Sequence, residues 1–182
     1  MGRLTVITAL LLAALGTASA APASAGPEGL TECAELELRV AGLFRVGTAS
    51  LHLNECADGA RILEAVPKQF SLRLARSFSG SDLTETARDT LVDNLGLDGH
   101  EDLPEDLACM AEAYVDAGDG DRFDVTYLPG EHLSLYLNEE LLRRCEDLGQ
   151  GEKYFMIWFG DDPFHRRMRD RLLEQAAANA AG

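Results

Sequence analysis

The 182-residue chain has no C-x-x-C pair, no two histidines four residues apart and no G-x-S-x-G. The first two absences argue against a zinc centre, whose ligands recur at such spacings. The third leaves no nucleophile elbow, and no single cysteine stands apart as a nucleophile. DAGDGDRFD, residues 116–124, holds four aspartates but lacks the alternating acidic order and distal Glu of a calcium loop. It reads as a turn before a strand. No metal and no other cofactor is expected. There is no internal repeat.

Basic residues are scarce as well. Sixteen Lys and Arg face 31 Asp and Glu, a net charge of −15. Nucleic acids and anionic membrane surfaces select for clustered Lys and Arg, so neither is expected as a partner. The acidic surface is read as a solubility device. HRRMRDR near the C-terminus is the exception. Met168 inside it marks an inward face, and its arginines read as a solvated face near acids such as Asp170.

Long apolar runs are almost missing. The run from Leu4 to Leu15 is too short to span a bilayer. Arg3 precedes it and Ala18-Ser19-Ala20 follows, so residues 1–20 read as a cleaved secretory signal peptide. Ala23-Ser24-Ala25 offers a second cleavage site. No Cys follows closely, which argues against a lipoprotein anchor. Loss of Arg3 leaves 15 basic against 31 acidic residues, a net charge of −16. The expected location is periplasmic or extracellular. YFMIWFG, residues 154–160, is read as core with Trp158 buried, and no stable membrane insertion is expected.

Four cysteines are present: Cys33, Cys56, Cys109 and Cys145. An even count in an oxidising compartment predicts two disulfides. Cys33 and Cys56 flank a predicted hairpin, which favours joining them and leaves Cys109 for Cys145. Three connectivities are formally open.

Residues 21–31 read as a flexible segment. Leu36, Leu38 and Val40 alternate with Glu35, Glu37 and Arg39, and LFRVGTASLHL follows after a turn: strand, turn, strand. QFSLRLARSF is a third strand. Ser81 can cap a helix carrying Leu83, Ala87, Leu91 and Leu95. A second helix opens at Pro104, with Leu107, Met110, Ala111, Tyr114 and Val115 inward. DRFDVTYLPGEHLSLYL alternates apolar and polar residues twice around Pro129-Gly130, a hairpin. A short strand, LLRRC, comes next. Asp162-Pro163 opens a last helix with Phe164, Met168, Leu172 and Leu173 inward, and residues 175–182 read as a disordered tail. The order β-β-β-α-α-β-β-β-α-α predicts one α+β domain over residues 32–174, an antiparallel sheet with helices on one face.

One ordered set of motifs is more specific. Gly120-Asp121, Tyr127-Leu128-Pro129-Gly130, Asn138-Glu139 and Phe155-Met156-Ile157-Trp158-Phe159-Gly160 follow one another before a helix. In order and spacing they resemble the chalcone isomerase-like family, most closely its exported bacterial branch. The likeness runs over roughly residues 32–174, more loosely in the N-terminal half. It implies an open-faced sandwich, with a ligand cleft between sheet and helices. Plant members close a chalcone ring there, and fatty-acid-binding relatives hold a fatty carboxylate. Aligned by hand, the plant catalytic positions fall at Gly47, Leu83, Thr90 and Ile157. Thr48 restores the first of them by a one-residue slip. No small slip restores the tyrosine at Leu83, so no catalytic residue is assigned.

The resemblance implies that Arg39 pairs a ligand carboxylate bidentately, with Thr48 and Arg73 as further ligand-binding candidates. Arg45 and Arg76 are lesser ones. The alternative is an exposed Arg39, or one paired with Glu37. The expected function is non-catalytic binding of a small apolar carboxylate such as a fatty acid. Two alternatives stand beside it: an isomerase, or intramolecular lyase, acting on a polyphenol-like substrate, and an interaction protein with a closed cleft. Oligomeric state is not legible.

Overall fold

The computed structural model describes residues 29–40 and 44–182. The expected signal peptide and residues 21–28 lie outside them. Six strands form one antiparallel sheet in chain order: β1 (Thr31–Val40), β2 (Phe44–Leu53), β3 (Lys68–Leu74), β4 (Arg122–Leu128), β5 (His132–Leu137) and β6 (Glu140–Glu146). Helices α1 (Gly80–Leu95) and α2 (Glu105–Ala111) intervene between β3 and β4. Helices α3 (Met156–Phe159) and α4 (Arg166–Ala180) follow β6. The expected element order and α+β class are both observed.

Period-2 alternation sets the two faces of the sheet. Ala49, Leu72 and Phe123 are partners across β2, β3 and β4, and Leu51, Phe70 and Val125 form the next apolar row. Both rows face the helices. Leu91, Leu107, Met110 and Leu172 meet them from the helical side, all fully buried. The other face carries polar rows, such as Glu37, Thr48, Arg73 and Arg122 across β1 to β4.

Local signals place the helices. Ser79 Oγ accepts from the Asp82 N–H at 3.1 Å, and Gly96 ends α1 at φ 64°. The two-residue connection between β5 and β6 has both residues at positive φ, Asn138 at 50° and Glu139 at 73°. That is the geometry hairpin twist demands of so short a turn.

Both disulfides pair as expected, Cys33 with Cys56 and Cys109 with Cys145. The first ties β1 to the 3₁₀ turn after β2, and the second ties α2 to β6. At one end of the sheet Lys68 is fully buried. Its Nζ donates to the carbonyls of Ile62 at 2.5 Å and Glu64 at 2.6 Å. It also lies about 5 Å from the ring centres of Tyr127 and Phe155.

Three expectations are corrected. α2 ends at Ala111, so Val115 is exposed rather than inward. α4 is capped by His165, not Asp162, and Phe164 lies outside it, 43% exposed. Residues 175–182 are not a disordered tail, because α4 runs to Ala180. Ala176 is buried there, Gln175 Oε1 accepts from the Glu35 N–H at 3.0 Å, and Asn179 Nδ2 donates to the Cys33 carbonyl at 2.9 Å. An edge strand leaves such backbone groups unpaired, and α4 satisfies these two. Among the described residues no helix is long and apolar enough to cross a membrane.

Candidate ligand site

The sheet and the helices enclose a cavity of about 70 Å³. Its floor is Leu38 of β1, Phe70 and Leu72 of β3, and Phe123 and Val125 of β4. Its roof comes from α1 (Leu83, Thr86, Ala87) and α3 (Ile157, Trp158). Only Thr86 and Tyr114 bring hydroxyls to the lining. Phe164 is the most exposed lining residue, and its N–H donates to the Ile157 carbonyl at 2.8 Å. The tyrosine hydroxyl is already engaged, accepting from the buried Tyr154 at 3.3 Å. Burial pushes Tyr114 up to about 12, against that hydrogen bond, so it does not ionise near neutral pH.

Leu38 and Met168 line a second space as well, an open groove of about 480 Å³ between β1 and α4. Its polar rim is Glu37, Arg39, His165, Arg167, Arg171 and Gln175. Glu37 is shared by two cations: Arg39 Nε lies 2.5 Å from Oε1, and Arg45 Nε lies 2.9 Å from Oε2. Among the described residues Arg167 and Arg171 form no ion pair, unlike Arg166 and Arg169 on the same helix. His165 Nδ1 accepts the Met168 N–H at 3.0 Å, which leaves Nε2 as the donor nitrogen of the neutral ring.

The open face of the sheet holds a polar pocket of about 50 Å³, lined by Glu35, Thr48, Ser50, His52, Arg73 and Arg122 among others. Burial lowers the His52 pKa, opposed by the charge of Asp124. Ser50 Oγ lies 3.1 Å from its Nε2. Among the described residues no three His, Cys, Asp or Glu converge to hold a metal ion.

The sequence-derived candidates therefore separate. Thr48 and Arg73 are cross-strand partners on the open face, and Arg73 Nη1 donates to the Gly120 carbonyl at 3.2 Å. Arg39 borders the groove, paired with Glu37. None of the three lines the apolar cavity. Two hand-aligned catalytic positions do line it, as Leu83 and Ile157, whose side chains neither donate nor accept hydrogen bonds. Thr90 spends its hydroxyl on the Thr86 carbonyl at 2.7 Å. A Cβ on Gly47 would stand 2.1 Å from the Arg73 carbonyl oxygen, so that position takes no side chain. Sequence reasoning missed Thr86, Tyr114, Arg167 and Arg171. The four-residue spacing of the two arginines beside Met168 and Leu172 was the available signal.

The model of the family described as chalcone isomerase-like matches residues 35–174. The chain belongs to the chalcone isomerase-like family. A similar solved structure is that of an Arabidopsis thaliana fatty-acid binding protein, at 16% identity and TM-score 0.62. The likeness covers 88% of this chain and 94% of that one. No curated protein matches the sequence. At this identity the structural likeness speaks for the fold: a six-stranded chalcone isomerase-like sheet under a helical layer, with its cavity between the two.

Proposed function

We propose that the chain is a non-catalytic binding protein for a small apolar carboxylate such as a fatty acid, held between sheet and helices. The observation that carries this reading is the apolar cavity lying beside a cation-rimmed groove, with Leu38 and Met168 lining both. A carboxylate with an alkyl tail matches both in chemistry. Leu83 and Ile157 supply no group that could orient a water or stabilise an enolate, which favours binding over ring closure. The fatty-acid binding protein of the same fold lends further support.

We also read the chain as exported. Two disulfides fit an oxidising compartment. Residues 1–20 carry a signal-peptide pattern, and the family domain begins near residue 32 and extends through α4 to Ala180.

Native mass spectrometry of protein from an oxidising compartment tests the binding reading. The expected result is a non-covalent adduct of fatty-acid mass that disappears on denaturation. Ala87→Phe, which fills the cavity from α1, loses the adduct while keeping its circular dichroism. A clean protein mass with no uptake of added fatty acid contradicts the reading and leaves an interaction role.

A further inference from the structure

We propose that the anionic head of the ligand is held by Arg167 and Arg171 of α4, in the groove against β1, rather than by the strand arginine Arg39. The inference rests on the binding reading above and places its polar end. Arg167 and Arg171 stand one helical turn apart, and both border the groove. The residues immediately after them, Met168 and Leu172, are buried. This fixes the pair at the line where α4 meets the sheet.

Availability of charge separates these arginines from Arg39. Among the described residues Arg167 and Arg171 have no carboxylate partner, although Asp162 and Asp170 serve Arg166 and Arg169. Among the described residues Arg73, Arg76, Arg143 and Arg144 also have no carboxylate partner, and what sets Arg167 and Arg171 apart from these four is that both border the groove. Like charges at this spacing repel, and a bound anion relieves the repulsion. Arg39 is instead held by Glu37, which Arg45 also engages.

The backbone adds to the site. α4 side chains cover the β1 edge at Cys33 and Glu35. Glu37 comes two residues later and turns its backbone to the same edge. There the groove is open. His165 contributes Nε2 from the helix start.

Volume favours a head-out, tail-in arrangement. The cavity alone, about 70 Å³, is small beside typical ligand pockets of roughly 300–1,000 Å³. The groove adds about 480 Å³, and Leu38 and Met168 stand between the two. Methionine is unbranched and flexible, so the partition yields at modest cost. The ligand class is a single-chain amphiphile with a carboxylate head and an unbranched apolar tail.

The test compares hexadecanoate with its uncharged methyl ester on the oxidised protein. The variants are Arg167→Gln combined with Arg171→Gln, and Arg39→Gln alone. The double variant is expected to bind hexadecanoate about tenfold or more weakly, with the ester unchanged. Arg39→Gln is expected to change hexadecanoate affinity less than about threefold. A double variant that binds the acid as wild type does, or a loss confined to Arg39→Gln, overturns the assignment. Equal loss of acid and ester overturns it too, because the pair then supports the fold. If wild type takes neither acid nor ester, the binding reading itself fails and the head-group site falls with it.

Discussion

Phe70 and Trp158 stack with their centroids 4.3 Å apart and their planes 20° from parallel. Phe70 lies on β3, inside the sheet, and Trp158 lies on α3. The stack therefore joins the two layers at the wall of the cavity. Phe155 and Tyr154 meet the indole edge-on at 5.6 and 5.9 Å. Offset and edge-to-face pairs of this kind stabilise beyond the area they bury.

Truncating this contact is expected to be severe. Trp158→Ala removes a side chain only 7% exposed and leaves a void beside an existing cavity. The expected loss is about 3–5 kcal/mol, measured by urea unfolding followed by far-ultraviolet circular dichroism. Trp158→Phe retains a ring against Phe70 and costs less. A loss below about 1 kcal/mol for the alanine variant would place the layer contact elsewhere.

Lys68 makes stability depend on pH. Burial outweighs the nearby Glu152 and Glu64 carboxylates and brings its pKa down to about 8, against about 10.4 in an unfolded chain. Between those values the unfolded chain binds more protons, so raising the pH stabilises the fold. The expected gain is about 2 kcal/mol from pH 8 to 10. Above about pH 10 the trend reverses, because burial raises Tyr114, Tyr127 and Tyr154 and the unfolded chain ionises first. Unfolding free energies of wild type and Lys68→Met across this range decide it. A wild-type rise that persists in Lys68→Met would assign the effect to another group.

Gly47 is expected to refuse the threonine that the plant enzymes carry nearby. Its Cβ would overlap the Arg73 carbonyl oxygen at 2.1 Å, and that contact is backbone. Gly47→Thr therefore prises β2 from β3, and soluble yield and melting temperature fall sharply. A stable Gly47→Thr protein would mean that the two strands separate easily, and would reopen the catalytic alignment.

Much of the fold was legible because period-2 alternation and cap residues are local signals. The strand Leu36, Leu38 and the helix Leu83, Ala87, Leu91 declare their faces unaided. Flanking a hairpin was enough to pair Cys33 with Cys56. Helix ends were harder. Nothing local distinguishes Asp162 from His165 as the cap of α4, since the choice depends on Phe164 being tied to Ile157. The alanine-rich C-terminus looks like a fraying tail in isolation. It is helical because Gln175 and Asn179 reach β1, more than a hundred residues away in the chain. The site was least legible. Alternation places Arg39 opposite Leu38 and leaves open whether it holds a ligand or pairs with Glu37, and the fold decides for Glu37. Only the packing of α4 shows that Arg167 and Arg171 border a groove next to the cavity.

The most direct test of the account uses Trp158, the chain's single tryptophan, as a reporter on the cavity wall. Fatty acids brominated near the tail end or next to the carboxylate are titrated against its fluorescence. The account predicts strong saturable quenching by the tail-brominated acid and weak quenching by the head-brominated one, because the tail enters the cavity and the head stays in the groove. Equal quenching by both, or none by either, would contradict it.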